Sequence, residues 1–298
     1  MRTDGRESDN IEDRRGEGPV GGGGFGGGGF PVGRVGIGTV VIALVASYFL
    51  GIDPRVVLGV LGGGMDSGPP PQTKVQTGPA SKQPTDQRGH FVSVVLADTE
   101  DTWTALFRER GKTYQPPKLV LYSRSYPTAC GTGSAASGPF YCPSDQKVYL
   151  DTSFFDLLQQ RFKAPGDFAQ AYVIAHEVGH HVQNQLGVMA QTAQLRERMS
   201  ERQYNQVSVR VELQADCFAG IWGYHAQHSR QIIEAGDLEE ALRAATAIGD
   251  DTLQKQSQGQ VVPDSFTHGT SEQRVRWFKR GFDSGKLEDC NTFEAKAL

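Results

Sequence analysis

From Val35 to Ile52 the chain runs VGIGTVVIALVASYFLGI without a charge, and Val56 to Leu61 extend the apolar surface past Asp53 and Arg55. At about 1.5 Å per residue this approaches the roughly 30 Å hydrocarbon core of a bilayer, so residues 35–61 are expected to form one transmembrane anchor. Residues 1–34 before it are charged and then glycine-rich, with GGGGFGGGG from Gly21 to Gly29. Such a stretch buries too little apolar surface to offset its ordering entropy, and it is read as a disordered tail. Residues 62–89, rich in Gly, Pro, Ser, Thr and Gln, read as a linker.

From residue 90 onwards the spacing becomes that of packed elements. Phe91 to Gly111 places Val95, Thr99, Thr102 and Leu106 on one helical side. Lys118 to Ser123 and Lys147 to Asp151 alternate as strands, and Thr152 to Lys163 reads as a short helix. Asp167 to Leu186 carries Phe168, Tyr172, Ala175, Gly179 and Val182 at three- and four-residue spacing, with Asp167 as the N-cap and Gly187 as the terminating glycine. A polar helix over Gly187 to Gln203, an apolar one over Val207 to Gln227 and more helix over Gln231 to Gln258 follow. The last, near Phe266 to Gly281, has Ser271 as its candidate cap. The pattern predicts an α+β domain over residues 90–298, mainly helical with a small sheet and preceded by one transmembrane helix.

Charge adds an orientation and an exclusion. The formal net charge of −4 and pI near 6.0 leave no nucleic-acid footprint. Arg14, Arg15 and Arg34 precede the apolar span and only Arg55 follows closely, which puts the N-terminus in the cytoplasm and the domain outside. Four cysteines in a domain facing an oxidising space are expected to pair. Three pairings are open, and the one expected joins Cys130 to Cys142 and Cys217 to Cys290.

The chemistry concentrates in His176-Glu177-Val178-Gly179-His180. Residues four apart share a helix face, so both imidazoles can reach one cation, and Glu177 stands where a carboxylate takes a proton from metal-bound water. Gly179 is costly in an exposed helix and fits where another backbone packs close. Gln183 and Leu186 occupy the positions where a metzincin needs glycine and a third histidine, which excludes that branch. Glu212 and Asp216, four apart among small and apolar neighbours, supply a third ligand and a carboxylate to orient a ligand histidine. His225, His228 and Asp216 remain open as substitutes for Glu212. The set His176, His180 and Glu212 implies Zn²⁺ with one open position, although affinity alone does not decide which divalent ion is loaded.

The run HEVGH followed by ELQAD on a later helix resembles the gluzincin metallopeptidases. With Cys130 to Asp151, ELQADCFAG and THGTSEQRVRWFKRG, it more closely resembles the bacterial "putative neutral zinc metallopeptidase" family of membrane-anchored proteins. The resemblance covers about residues 90 to 290 and the plan of anchor plus linker. It implies a zincin fold and a zinc metalloendopeptidase that cleaves protein or peptide substrates, held by its anchor at a bacterial inner or plasma membrane with the domain periplasmic or extracellular. It also implies that Gln146 to Leu150 pairs with extended substrate, and that His268 steadies the oxyanion, although Gly269 stands where related peptidases have proline. Arg274 is a candidate partner for Asp216. The rival reading is a membrane-tethered binding protein with a structural or vestigial zinc site.

Overall fold

The computed structural model describes residues 1–16, 83–134 and 138–298. The proposed anchor, and most of the tail and linker, lie outside the described residues. Among the described residues no helix is long and apolar enough to cross a membrane.

A four-stranded sheet has the order β1 (Ile11–Asp13), β2 (Lys118–Tyr122), β6 (Lys147–Asp151), β5 (Phe140–Cys142). The first two pairings are parallel and β6–β5 is antiparallel. A hairpin of β3 (Ser125–Thr128) and β4 (Gly131–Ser134) lies apart, and the Cys130–Cys142 disulfide joins it to β5. The helices are α1 (Gln87–Glu109), α2 (Ser153–Gln160), α3 (Asp167–Gln185), α4 (Val188–Arg196), α5 (Glu201–His225), α6 (Asp237–Ala247), α7 (Asp250–Gln258) and α8 (Ser271–Ser284). The mainly helical α+β expectation holds, and both disulfides are those expected, the second joining Cys217 to Cys290.

Three corrections bear on function. The first 16 residues are not disordered, because β1 pairs with β2, Ile11 and Ser8 are buried, and the Arg14 N–H donates to the Leu121 carbonyl at 2.7 Å. Ser8 and Asn10 both donate to Glu100 on α1, so the polarity that suggested disorder is consumed by buried hydrogen bonds. Two of the arginines counted for orientation are engaged in the fold: Arg14 is buried near Glu12, and Arg15 pairs with Asp13 and Asp86. Second, the strand expected to pair with substrate is β6, which is bonded on both sides by β2 and β5. It has no free edge to offer; the edge strands of this sheet are β1 and β5. Third, α1 begins at Gln87, inside the expected linker, capped by Asp86, whose side chain accepts from Gly89.

Smaller differences are local. Gly166, not Asp167, precedes the first turn of α3, and Glu240 from α6 accepts the Phe168 N–H. The polar helix breaks after Arg196, and Ser200 with Gln203 forms the capping box that starts α5. Helix is absent between Gln231 and Gly236, and Gly249 separates α6 from α7. Thr270 with Gln273, rather than Ser271, caps α8.

The core lies between α3 and its neighbours. Phe168, Ala169 and every residue from Ala171 to Gln183 are buried, as expected of a helix covered on all sides. Close backbone approaches set that packing. A Cβ on Gly179 would stand 3.0 Å from the Ala215 carbonyl of α5, which is the near contact its position implied. On the other side of α5, a Cβ on Gly281 of α8 would meet the Cys217 carbonyl at 1.9 Å. These glycines let three helices stack backbone to backbone.

Candidate active site

The two faces of α3 and α5 that meet across Gly179 carry the functional side chains. His176 Nε2 lies 3.1 Å from Glu212 Oε2, and His180 Nε2 lies 3.5 Å from Glu212 Oε1. The donor atoms of these three residues all fall within 4.8 Å of one another. Tetrahedral coordination at 2.0–2.1 Å separates ligand atoms by about 3.3 Å, so this N, N, O set is of the kind that holds zinc, and among the described residues it is a group of three. His225 and His228 take no part: the first contacts the Gly285 carbonyl and the second stacks on Tyr224.

Beneath the cluster lies a buried charge network. Asp216 Oδ1 is 2.8 Å from His176 Nδ1 and accepts the Tyr172 hydroxyl at 2.5 Å. Arg274, from α8, donates to both Asp216 oxygens at 2.9 Å through Nε and Nη2, and also to the Ile248 carbonyl. Asp216 and Arg274 are 0% and 3% exposed, a burial that two charges tolerate only when paired and hydrogen-bonded. Burial pushes the Asp216 carboxyl up, but Arg274 and His176 outweigh it and hold its pKa at about 2. A depressed carboxylate pKa contributes stability above its unfolded value and loses it as pH falls. The stability difference between the wild type and Asp216→Asn should therefore shrink between about pH 4 and 2 in chemical denaturation of the metal-free protein. A difference constant over that range contradicts the pairing.

Glu177 is 8% exposed. Burial raises its pKa against the lowering pull of both imidazoles, and the Tyr141 backbone N–H donates to its carboxylate. That N–H belongs to β5, so the outer edge of the sheet faces the cluster. Tyr141 is itself held through its hydroxyl, by Asn184 and by His181 Nδ1 at 3.0 Å. The second histidine of the HH pair thus fastens the edge strand to α3.

His268 sits in the loop before α8. Asp250 Oδ2 accepts the backbone N–H groups of Thr267, His268 and Gly269, while its Oδ1 lies 3.1 Å from His268 Nδ1. The imidazole is half exposed. Desolvation works against its proton, but Asp250 and the charge of Glu212 raise its pKa. Tyr172, Tyr141, Gln183 and Asp250 are site residues that the sequence did not single out as such: Tyr172 enters there only as an apolar position of the helix and Gln183 only as a departure from the metzincin pattern.

The family model described as "Putative neutral zinc metallopeptidase" matches residues 1–293. "Uncharacterized protein YpfJ" of Escherichia coli K12 is 52% identical over 294 residues, covering 98% of this chain and 99% of that one. An uncharacterized protein of Mycobacterium tuberculosis H37Rv is 37% identical over 257 residues, covering 82% and 86%. No solved structure matches. With histidine, histidine and glutamate converging beside Glu177, and with nearly the whole length matched, the chain belongs to the family described as "Putative neutral zinc metallopeptidase".

Proposed function

We propose that the protein is a zinc-dependent endopeptidase that hydrolyses peptide bonds in protein or peptide substrates. The observation that carries this reading is the convergence of His176 Nε2, His180 Nε2 and Glu212 on one point, next to a buried carboxylate that the cluster does not use as a ligand. Zinc held by these three residues would polarise a carbonyl and bring the pKa of a coordinated water towards 7. Glu177 then accepts the proton released in attack on the peptide carbon and returns it to the departing amine, and its burial suits a carboxylate that must both take and give. His268, with Nδ1 engaged by Asp250, has Nε2 left to hydrogen-bond the oxyanion. β5, the edge strand whose Tyr141 N–H meets Glu177, is the strand proposed to lie along an extended substrate, giving affinity with little sequence selectivity. Asp216 keeps His176 oriented.

Incubating the protein with unfolded casein should give fragments, which a chelator abolishes and added zinc restores. No hydrolysis under any loading favours the tethered binding protein instead.

Membrane attachment through residues 35–61 belongs to the same proposal, with one change from the single-pass orientation. A segment that crosses a bilayer once delivers its ends to opposite faces, and β1 could not then pair with β2 of its own chain. Gln83 also donates to the Ser8 carbonyl, and Arg15 pairs with Asp86, so residues 8–15 and 83–86 lie together. Residues 1–16 and 83–298 are therefore proposed to share one side of the membrane. Single cysteines at the exposed positions Asp9 and Glu197 should react alike with an impermeant thiol reagent in intact cells. Opposite reactivities contradict shared sidedness.

A further inference from the structure

The two ligand histidines are steadied by different chemistry. Asp216 serves His176, whereas His180 Nδ1 lies 2.9 Å from Oε1 of Gln183, one turn further along α3. The Gln183 side chain is fully buried. Its amide nitrogen donates to the Val211 carbonyl at 2.7 Å and to Gln214 Oε1 at 3.0 Å, both on α5. The Gln214 amide nitrogen in turn donates to the carbonyl of Cys290, which the disulfide ties to Cys217 of α5.

This chain of donors leaves one arrangement. The Val211 and Cys290 carbonyls only accept, so the nitrogen ends of both amides face them, and the oxygen of Gln183 faces His180. An amide oxygen cannot donate; hence His180 Nδ1 carries a proton, and in the neutral ring Nε2 is the nitrogen left with its lone pair, on the side of Glu212. Flipping the Gln183 amide would put its oxygen against the Val211 carbonyl and the Gln214 Oε1, a buried acceptor-to-acceptor mismatch.

We propose that Gln183 is a positioning residue that fixes the tautomer and ring orientation of His180, and so the readiness of the centre to take a metal. The assignment rests on the metal-centre reading above. A residue that only staples α3 to α5 would affect folding stability alone, and the two roles separate by substitution. Gln183→Leu removes the acceptor and both donors; Gln183→Glu keeps an acceptor towards His180 but loses the donors to α5. Zinc affinity of the folded full-length chain, measured by competition with a chromophoric chelator, should fall about 10–100-fold in Gln183→Leu. It should stay near that of the wild type in Gln183→Glu, although both variants melt earlier. Cobalt absorption would report the changed coordination in Gln183→Leu independently. Should that variant not fold, long-range ¹H–¹⁵N spectra of the wild type decide, since the assignment requires a proton on His180 Nδ1. Unchanged zinc affinity in folded Gln183→Leu, or an unprotonated Nδ1 on His180, overturns the positioning role while leaving the peptidase reading intact. Failure of the wild type to bind zinc overturns both.

Discussion

Replacing Glu177 with glutamine should leave zinc content unchanged and lower turnover of casein by about 10²–10⁴-fold, the span removed when a general base is lost. The substitution is nearly isosteric, and the amide oxygen can still accept from the Tyr141 N–H, so the helix and the ligand pair stay in place. Only the capacity to hold a proton disappears. Metal analysis and casein hydrolysis on the same preparation check both halves. Full activity would mean that another group serves as base, and loss of metal would mean that Glu177 belongs to the coordination sphere.

The second large effect concerns Glu212. Converting it to alanine removes the carboxylate from between His176 and His180, leaving two imidazoles and no protein anion to offset the charge of a divalent ion. Outer partners of metal ligands typically contribute 10–100-fold to affinity, and a ligand itself should exceed that, so zinc affinity is expected to fall by more than about 100-fold with hydrolysis lost. Circular dichroism should stay that of the wild type, because Glu212 is only partly buried and α5 is anchored by its capping box and by Leu213, Ala215 and Phe218 in the core. Wild-type affinity in this variant would move the third ligand elsewhere.

The centre was legible in the sequence to the extent that it is helical. The spacings 176–180 and 212–216 translate into shared faces through one local rule, and Gly179 marked the face where the second helix approaches. Local spacing says nothing about hydrogen bonds that cross between elements. The pairing of Arg274 with Asp216 was a candidate and is present, but what brings the two together is Gly281, which lets α8 lie against α5, and Gln183 finds Val211 and Gln214 only once α3 and α5 are stacked.

The sheet was less legible for a related reason. β1 is three residues long with one apolar side chain, Ile11, and its parallel partner is more than a hundred residues away across a glycine-rich segment. No period of two can emerge from so short a strand. Likewise, Lys147 to Asp151 reads as a strand whereas Phe140 to Cys142 is too short to do so, and nothing in either stretch tells which will be interior and which will lie at an edge. That order is a property of the assembled sheet, and here it transferred the proposed substrate-pairing role from β6 to β5.

The most direct test of the account is an anomalous-scattering structure of the full chain grown with zinc. The account predicts one ion about 2.0–2.1 Å from His176 Nε2, His180 Nε2 and a Glu212 oxygen, with solvent in the remaining position and Glu177 outside the coordination sphere. An ion closed off by a fourth protein side chain, or Glu212 turned away from both imidazoles, would contradict it.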